Sequence, residues 1–408
     1  MGIDRQPWLW GLALTCLMLA SSAGAEPEAS QVPGVVIDYS PASSGIYIGS
    51  PTITVLPNGD YLAAHDEFGP KSTEHTSAIT HVFRSSDQGK SWAKIATIDG
   101  AFWSTLFVHR GDVYLIGPTH HHGDFVIHRS SDGGKNWTSP TDADTGLLLE
   151  GEYHCAPMPV IVHEGRLWRG VEDAGGGERW GARYRAMMVS APIESDLLNA
   201  ESWTASNYIS RNADWLEGDF LGWLEGNAVV APDGEIVDIL RVSAGPKAGI
   251  AAVVNISDDG KKASFDPRTG FIKFPGGTKK FAIRHDPTTN LYWTLSNIIS
   301  PWDAGGNPSS IRNTLALMSS PDMRNWTVRS IVLYHPDTKC HAFQYVDWLF
   351  EGDDLIAVSR TAYDDGQGGA HNAHDANYLT FHRIEDFRTL TMDDSAESWK
   401  QAKTAADD

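Results

Sequence analysis

The chain has 408 residues, among them 39 Gly and 15 Trp, and a formal net charge of −20. That length builds one large domain or two medium ones. An acidic balance with no block of Lys or Arg excludes the basic footprint that nucleic-acid binding requires. An acidic ligand stays open, because a site is a local arrangement of charges.

Residues 1–25 read as a cleavable export signal. Arg5 precedes the apolar run Leu9-Trp10-Gly11-Leu12-Ala13-Leu14, and Ala23-Gly24-Ala25 forms a cleavage site before Glu26. The run is too short to span a membrane, and Thr15 before Cys16 makes a poor lipoprotein signal. A secreted or periplasmic protein without a membrane span is the expectation. Cys155 and Cys340 are the cysteines left after cleavage, too few for a disulfide scaffold. Both neighbour a histidine, as His154-Cys155 and Cys340-His341. A structural metal near these pairs, a disulfide and two buried thiols are the three readings. The sequence calls for no cofactor.

From Val35 onward the pattern is that of strands. The stretch Val35-Val36-Ile37-Asp38-Tyr39 has no partner of its own. A hairpin of two apolar strands about a glycine turn then recurs six times: 52–65, 106–115, 160–168, 228–237, a variant at 281–293, and 345–356. With the strands that follow each hairpin, the units cover 46–99, 102–145, 153–207, 222–268, 279–334 and 341–390. Units of that size in a radial array predict an all-β chain, a single six-bladed β-propeller over 26–408, with seven blades as the alternative. The unpaired 35–39 stretch is expected to supply the outer strand of the last blade and close the ring.

A second signal follows some hairpins. Ser85-Ser86-Asp87-Gln88-Gly89-Lys90-Ser91-Trp92 is repeated as Ser130-Ser131-Asp132-Gly133-Gly134-Lys135-Asn136-Trp137 and, degenerately, as Ser319-Ser320-Pro321-Asp322-Met323-Arg324-Asn325-Trp326. These stretches resemble the Asp-box (BNR) repeat of the sialidase superfamily. The resemblance implies a structural role for them, on the face away from the active site.

Position then sorts the polar residues. Inner-hairpin turns point to one face of a propeller, and the outer ends of the same strands gather at the other, around the axis. His109, His163 and His285 adjoin turns and drop out. Left on the ligand face are His65 and Asp66, Trp103 with His120-His121-His122, Tyr153, His154, Arg169 and Glu172, then Glu225 and Arg241. Lys279, Lys280 and Arg312 join them, with Gln344, Tyr345 and Arg360. Buried charge must be paired or used, so this density argues for a site. The His120-His121-His122 run reads as a solvated loop, or else as metal ligands. The loop 364–375 mixes acids and histidines and reads either as a cation site or as a lid.

Here the sialidase resemblance becomes residue-specific. Leu224-Glu225-Gly226-Asn227 followed by Leu240-Arg241 is similar to that family's Glu-bearing strand and a triad arginine. Arg312-Asn313-Thr314 lies where a further triad arginine belongs, and Tyr345-Val346-Asp347-Trp348 is similar to the segment around the nucleophilic tyrosine. The resemblance implies that Glu225 draws the proton from Tyr345, whose oxygen attacks the anomeric carbon, while Arg241 and Arg312 fork onto a carboxylate. The first blade departs from the family: Tyr47-Ile48-Gly49-Ser50-Pro51 carries no arginine where the family has Arg-Ile-Pro. His65 and Asp66 are the nearest candidates for the acid, Arg169 or Arg360 for the missing cation, and Trp103 and His154 for further substrate contacts. A second resemblance is to propeller lyases that cut uronate polysaccharides with His, Tyr and Arg. It implies Tyr153 and Arg169 working with His65, His121 or His154. The expectation is thus an exported, monomeric, sialidase-like glycoside hydrolase acting on a terminal acidic sugar of a glycan or polysaccharide. The rivals are a uronate lyase and a non-catalytic glycan-binding propeller.

Overall fold

Short runs of alternating apolar residues, cut by turns that glycine can close, fold into six antiparallel sheets around an axis. The structure, a computed structural model, describes residues 1–2, 31–245 and 247–408. The expected export signal lies outside the described residues except for its first two. Each sheet is one blade: residues 47–99, 105–149, 153–205, 222–273, 282–334 and 342–384 in turn. The last sheet is completed from the other end of the chain, where Val35–Tyr39 pairs antiparallel with Tyr378–Ile384. That pairing joins the first described strand to the last and covers the outer edge of blade six.

The six-fold count and the closing strand agree with the sequence, and the hairpins lie where it puts them. In blade two, Thr105–His109 pairs with Asp112–Pro118 across Arg110 and Gly111, both at positive φ (51° and 88°). Such a two-residue turn matches the strand twist. Blade five uses Asn290 (φ 55°) in place of glycine.

Six apolar clusters fill the six spaces between neighbouring blades; that between blades four and five, for example, joins Val229, Ile239 and Val253 to Ile283 and Tyr292. Near the axis each junction also has a polar clasp. Asp347 Oδ2 of blade six accepts from Thr52 Oγ1 and Ile53 N of blade one (both 3.0 Å), and Leu106 N of blade two donates to Thr52 Oγ1. Thr105 exchanges bonds with the Met158 backbone, Glu172 accepts from Gly226 N, Asn227 holds Ile283 N, and Asn297 reaches Phe343 O. These side chains satisfy the ends of inner strands that have no neighbouring strand on the axial side.

The three Ser-Asp-Trp turns are closed by their own side chains. Asp132 Oδ1 accepts from Ser130 Oγ and Asn136 N, and Trp137 Nε1 donates to Gly134 O. Blade four has a related turn without the tryptophan, in which Ser257 Oγ donates to Asp259 Oδ1 and both side chains accept from the backbone of Lys261 and Lys262. The C-terminal helix Glu397–Asp407 was not foreseen. Trp399 anchors it, donating to Ser300 Oγ at 3.0 Å.

Candidate active site

On the face opposite the inner-hairpin turns, two adjoining cavities of about 280 and 550 Å³ open over the ring. They share Trp180, Tyr345 and His374 as a common wall. The smaller is lined further by Phe68, Trp103, His121, His154, Cys155, Glu225 and Arg360. The larger runs outward over Arg241, Arg312 and the loop segments around 305–311 and 372–374.

Local backbone irregularities aim the central side chains. The inner strand of blade four slips register between Leu224 and Gly226, and Glu225 in the bulge has φ 54°. The inner strand of blade six slips between Gln344 and Asp347, and Tyr345 has φ 53°. Trp103, just before the inner strand of blade two, has φ 47°. A bulge breaks the alternation of the strand and redirects its side chain. Positive φ at a non-glycine residue costs of order 1–3 kcal/mol and tends to collect at functional sites.

Cations surround the tyrosine. The Arg312 and Arg360 guanidinium carbons lie 5.2 and 5.1 Å from the Tyr345 ring centroid, and Arg360 is also 4.8 Å from the Phe68 ring. Arg241 Nη1 donates to Glu225 Oε1 at 2.9 Å in a buried pair. Glu225 Oε2, Arg241 Nε and Arg360 Nε are buried with no partner. Arg312 donates to Ser309 O and Gln344 Oε1, and Arg360 to His374 O. Among the described residues neither of these two buried arginines forms an ion pair with a carboxylate. Lys279 adds to the positive field; burial, with Arg312 and Arg241 nearby, pushes its ammonium down to about 7. Burial likewise brings Lys280 to about 8, and its Nζ is held by Val346 O at 2.6 Å.

Asp66 is another carboxyl near this centre. It is 1% exposed, and Oδ1 accepts from Trp103 N (3.2 Å) and Ser50 N (3.3 Å) while Oδ2 has no partner. Burial pushes it up to about 7, against the pull of His65 and Arg360. Phe68, two residues along the same strand and therefore on the same face, lines the smaller cavity, as does Trp103, whose backbone N donates to Asp66; Asp66 itself is not part of the lining.

The sequence-derived candidates thus divide. Tyr345, Glu225, Arg241, Arg312, Arg360, Trp103 and His154 come together around the cavities. His154 Nδ1 meets Glu172 Oε2 at 2.7 Å, and its ring stacks on Tyr184 with centroids 4.1 Å apart.

Three candidates stand elsewhere. His65 is wedged between blades one and six, with Nε2 2.9 Å from Asp38 Oδ2 and the ring stacked on Phe83. Alternation along Tyr61–Phe68 turns it away from the face that Asp66 and Phe68 share. Tyr153 packs in the apolar space between blades two and three against Phe125. Arg169 is fully buried, donating to Gly170 O, Thr105 Oγ1 and Ala156 O. The pairing of Tyr153 with Arg169 on which the lyase reading was built is therefore not presented to a ligand. Cys155 and Cys340 are free thiols, Cys155 buried against Trp103 O. The donors beside them are engaged in other contacts, His154 with Glu172 and His341 with Asp337.

Among the wall residues that sequence reasoning missed are Trp180, His374 and Phe68. Trp180 sits on a glycine-rich loop with no strand register to place it. His374 belongs to the 364–375 loop, which folds over the larger cavity and forms part of its wall, and Phe68 ends a strand. Only the loop histidines carried a compositional hint.

The fold has known counterparts. An α-L-arabinanase of Penicillium chrysogenum, solved with arabinobiose, superposes with a TM-score of 0.54 at 15% identity, covering 88% of this chain and 98% of that one. The α-L-arabinofuranosidase Arb93A of Fusarium graminearum gives 0.55 at 12%, covering 86% and 96%. The Hadza microbial sialidase Hz136 gives 0.57 at 14%, covering 88% of this chain and 69% of its own. No protein-family model matches the chain, and no curated protein is detectably similar. At these identities the likeness establishes the fold alone, a six-bladed β-propeller.

Proposed function

We propose that the protein is a glycoside hydrolase that acts on an acidic sugar, with Tyr345 as nucleophile. The observation that carries the reading is the pair of buried guanidiniums, Arg312 and Arg360, that flank Tyr345 without a carboxylate of their own. Buried charge left unpaired is costly, and a ligand carboxylate in the cavity offsets that cost by forked hydrogen bonding. The propeller fold shared with an arabinanase, an arabinofuranosidase and a sialidase supports a glycosidase rather than a binding module.

In this mechanism the ligand acid docks on Arg312 and Arg360 and sets the anomeric carbon against Tyr345. Glu225 Oε2, which has no partner, takes the phenolic proton as the oxygen attacks, and Arg241 holds Glu225 in place through its other oxygen. The cations around the ring stabilise the negative charge developing on the phenolic oxygen. Asp66, largely protonated below pH 7, delivers a proton to the leaving group and then assists water in releasing the sugar from Tyr345. Trp103 and His154 frame the sugar in the smaller cavity. Nucleophile, base and acid each come from a different blade.

A panel of acidic glycans and aryl glycosides, with products read by mass, tests this reading. The expected result is a product carrying one added water, with turnover lost by roughly a thousandfold or more in Tyr345→Phe. Products lacking that water would mean elimination. Full activity of Tyr345→Phe would remove the tyrosine from the chemistry.

A further inference from the structure

Beside the smaller cavity, two loops meet in a group of donors that the proposed chemistry does not use. The loop 69–78 of blade one carries Glu74 and His75, and the loop 119–123 of blade two carries His121. One carboxylate oxygen of Glu74 and one ring nitrogen from each histidine all lie within 4.8 Å of one another. The loops are already registered, since His121 N donates to Glu74 O at 2.6 Å. The two imidazoles stack at 4.6 Å with an 18° angle between planes, and His75 Nε2 is 3.2 Å from Glu74 Oε1. Glu74 is buried, fixed by Gly69 N at 3.3 Å. His121 Nδ1 is buried and has no partner. Trp103, edge-on at 4.6 Å, and Phe102 at 5.8 Å hold its ring.

An unpartnered ring nitrogen against a second imidazole and a buried carboxylate is an arrangement that lacks only a shared cation. We propose that Glu74, His75 and His121 bind a divalent transition ion of the zinc class. Two imidazoles and one carboxylate suit zinc, whereas calcium and magnesium prefer all-oxygen sets. Ligands of a tetrahedral zinc lie about 3.3 Å apart at metal distances near 2.1 Å. Donors within 4.8 Å of one another therefore close by about 1.5 Å at most, a movement that exposed His75 (side chain 69% exposed) is free to make. The ion ties blade one to blade two at the rim of the cavity that His121 lines. Three protein ligands leave its fourth position to water or a ligand oxygen. This places the metal away from the His-Cys pairs that the sequence suggested, and it does not depend on the hydrolase reading.

The test uses the full chain without a histidine tag, stripped with chelator and desalted. Zinc is titrated calorimetrically and counted by elemental analysis, and cobalt is added to read the intense visible bands of tetrahedral coordination. One zinc per chain and a tetrahedral cobalt spectrum are expected. His75→Ala should weaken binding at least tenfold and His121→Ala should abolish it, whereas His120→Ala should leave it unchanged. His75 is exposed, so its variant folds even if His121→Ala does not. Stoichiometry or affinity unaffected by His75→Ala, or no binding at micromolar zinc, overturns the proposal.

Discussion

Asp66→Asn should make the protein more stable and less active, in a pH-dependent way. The folded-state carboxyl sits at about 7, against 3.8 for the free group, because burial disfavours its charged form. Between these values the native state holds a proton that the unfolded chain has released. Stability is therefore fully present below pH 3.8 and is lost as pH rises toward 7, where the cost levels off at ~4 kcal/mol. Asparagine keeps an oxygen to accept from Trp103 N and Ser50 N and never ionises. The variant should match the wild type near pH 4, gain on it by up to ~1.4 kcal/mol per pH unit, and exceed it by ~4 kcal/mol at pH 8. Denaturant unfolding across pH 4–8 measures the difference directly. An identical offset at every pH would refute the reasoning, as would a variant less stable at pH 8. The activity arm is separate. A wild-type rate that falls above pH 7, and a variant slow on substrates with poor leaving groups but spared on activated aryl glycosides, mark the acid. Stability gained where activity is lost is the signature of a group held in an unfavourable setting for its chemistry.

Arg360→Ala should raise KM for an acidic substrate by at least tenfold and leave a neutral analogue unaffected, since the guanidinium has no carboxylate of its own to release; equal effects on both substrates would make it structural. Trp180→Ala should raise KM several-fold with stability unchanged within about 0.5 kcal/mol, because the ring borders both cavities yet is 55% exposed. A drop in thermal midpoint of many degrees would show that Trp180 is packing rather than contact.

The hairpins were legible because each is local: alternation, a turn residue and alternation again fit in some fourteen residues, and their number sets the blade count. Sorting strand ends from turns sent His109, His163 and His285 to the far face, where His109 Nε2 meets Ile193 O and His163 Nε2 meets Gly234 O. The rule failed where alternation decides. His65 and Asp66 are adjacent on one strand, so they point to opposite faces, and only Asp66 shares the face of the cavity-lining Phe68. Position along the strand could not say which. Tyr153 failed for the same reason, facing the space between blades instead of the ligand. The bulges at Glu225 and Tyr345 were invisible because the left-handed position in each is occupied by a residue other than glycine; the positive φ there is imposed by tertiary context. Trp180 and His374 ride on loops whose path depends on what they fold over.

The missing arginine of the first blade acquires a physical cause. A Cβ built on Gly49 would stand 2.0 Å from Asp66 Oδ2 and 2.3 Å from Asp66 O, so no side chain fits there while Asp66 keeps its place. An arginine at position 49 and a carboxyl held by Ser50 N and Trp103 N exclude one another. The cation that blade one cannot supply has a counterpart in Arg360 of blade six, laid over Phe68 of blade one and over Tyr345. With Arg241 and Arg312 it restores three guanidiniums around the tyrosine, but from blades four, five and six alone. The positive field is thus gathered on one side of the cavity, opposite Trp103, His121 and His154. Under the proposed function, a substrate acid group would sit on the Arg side with its ring toward the aromatic side, and Gly49, by leaving room for Asp66, is part of what sets that asymmetry.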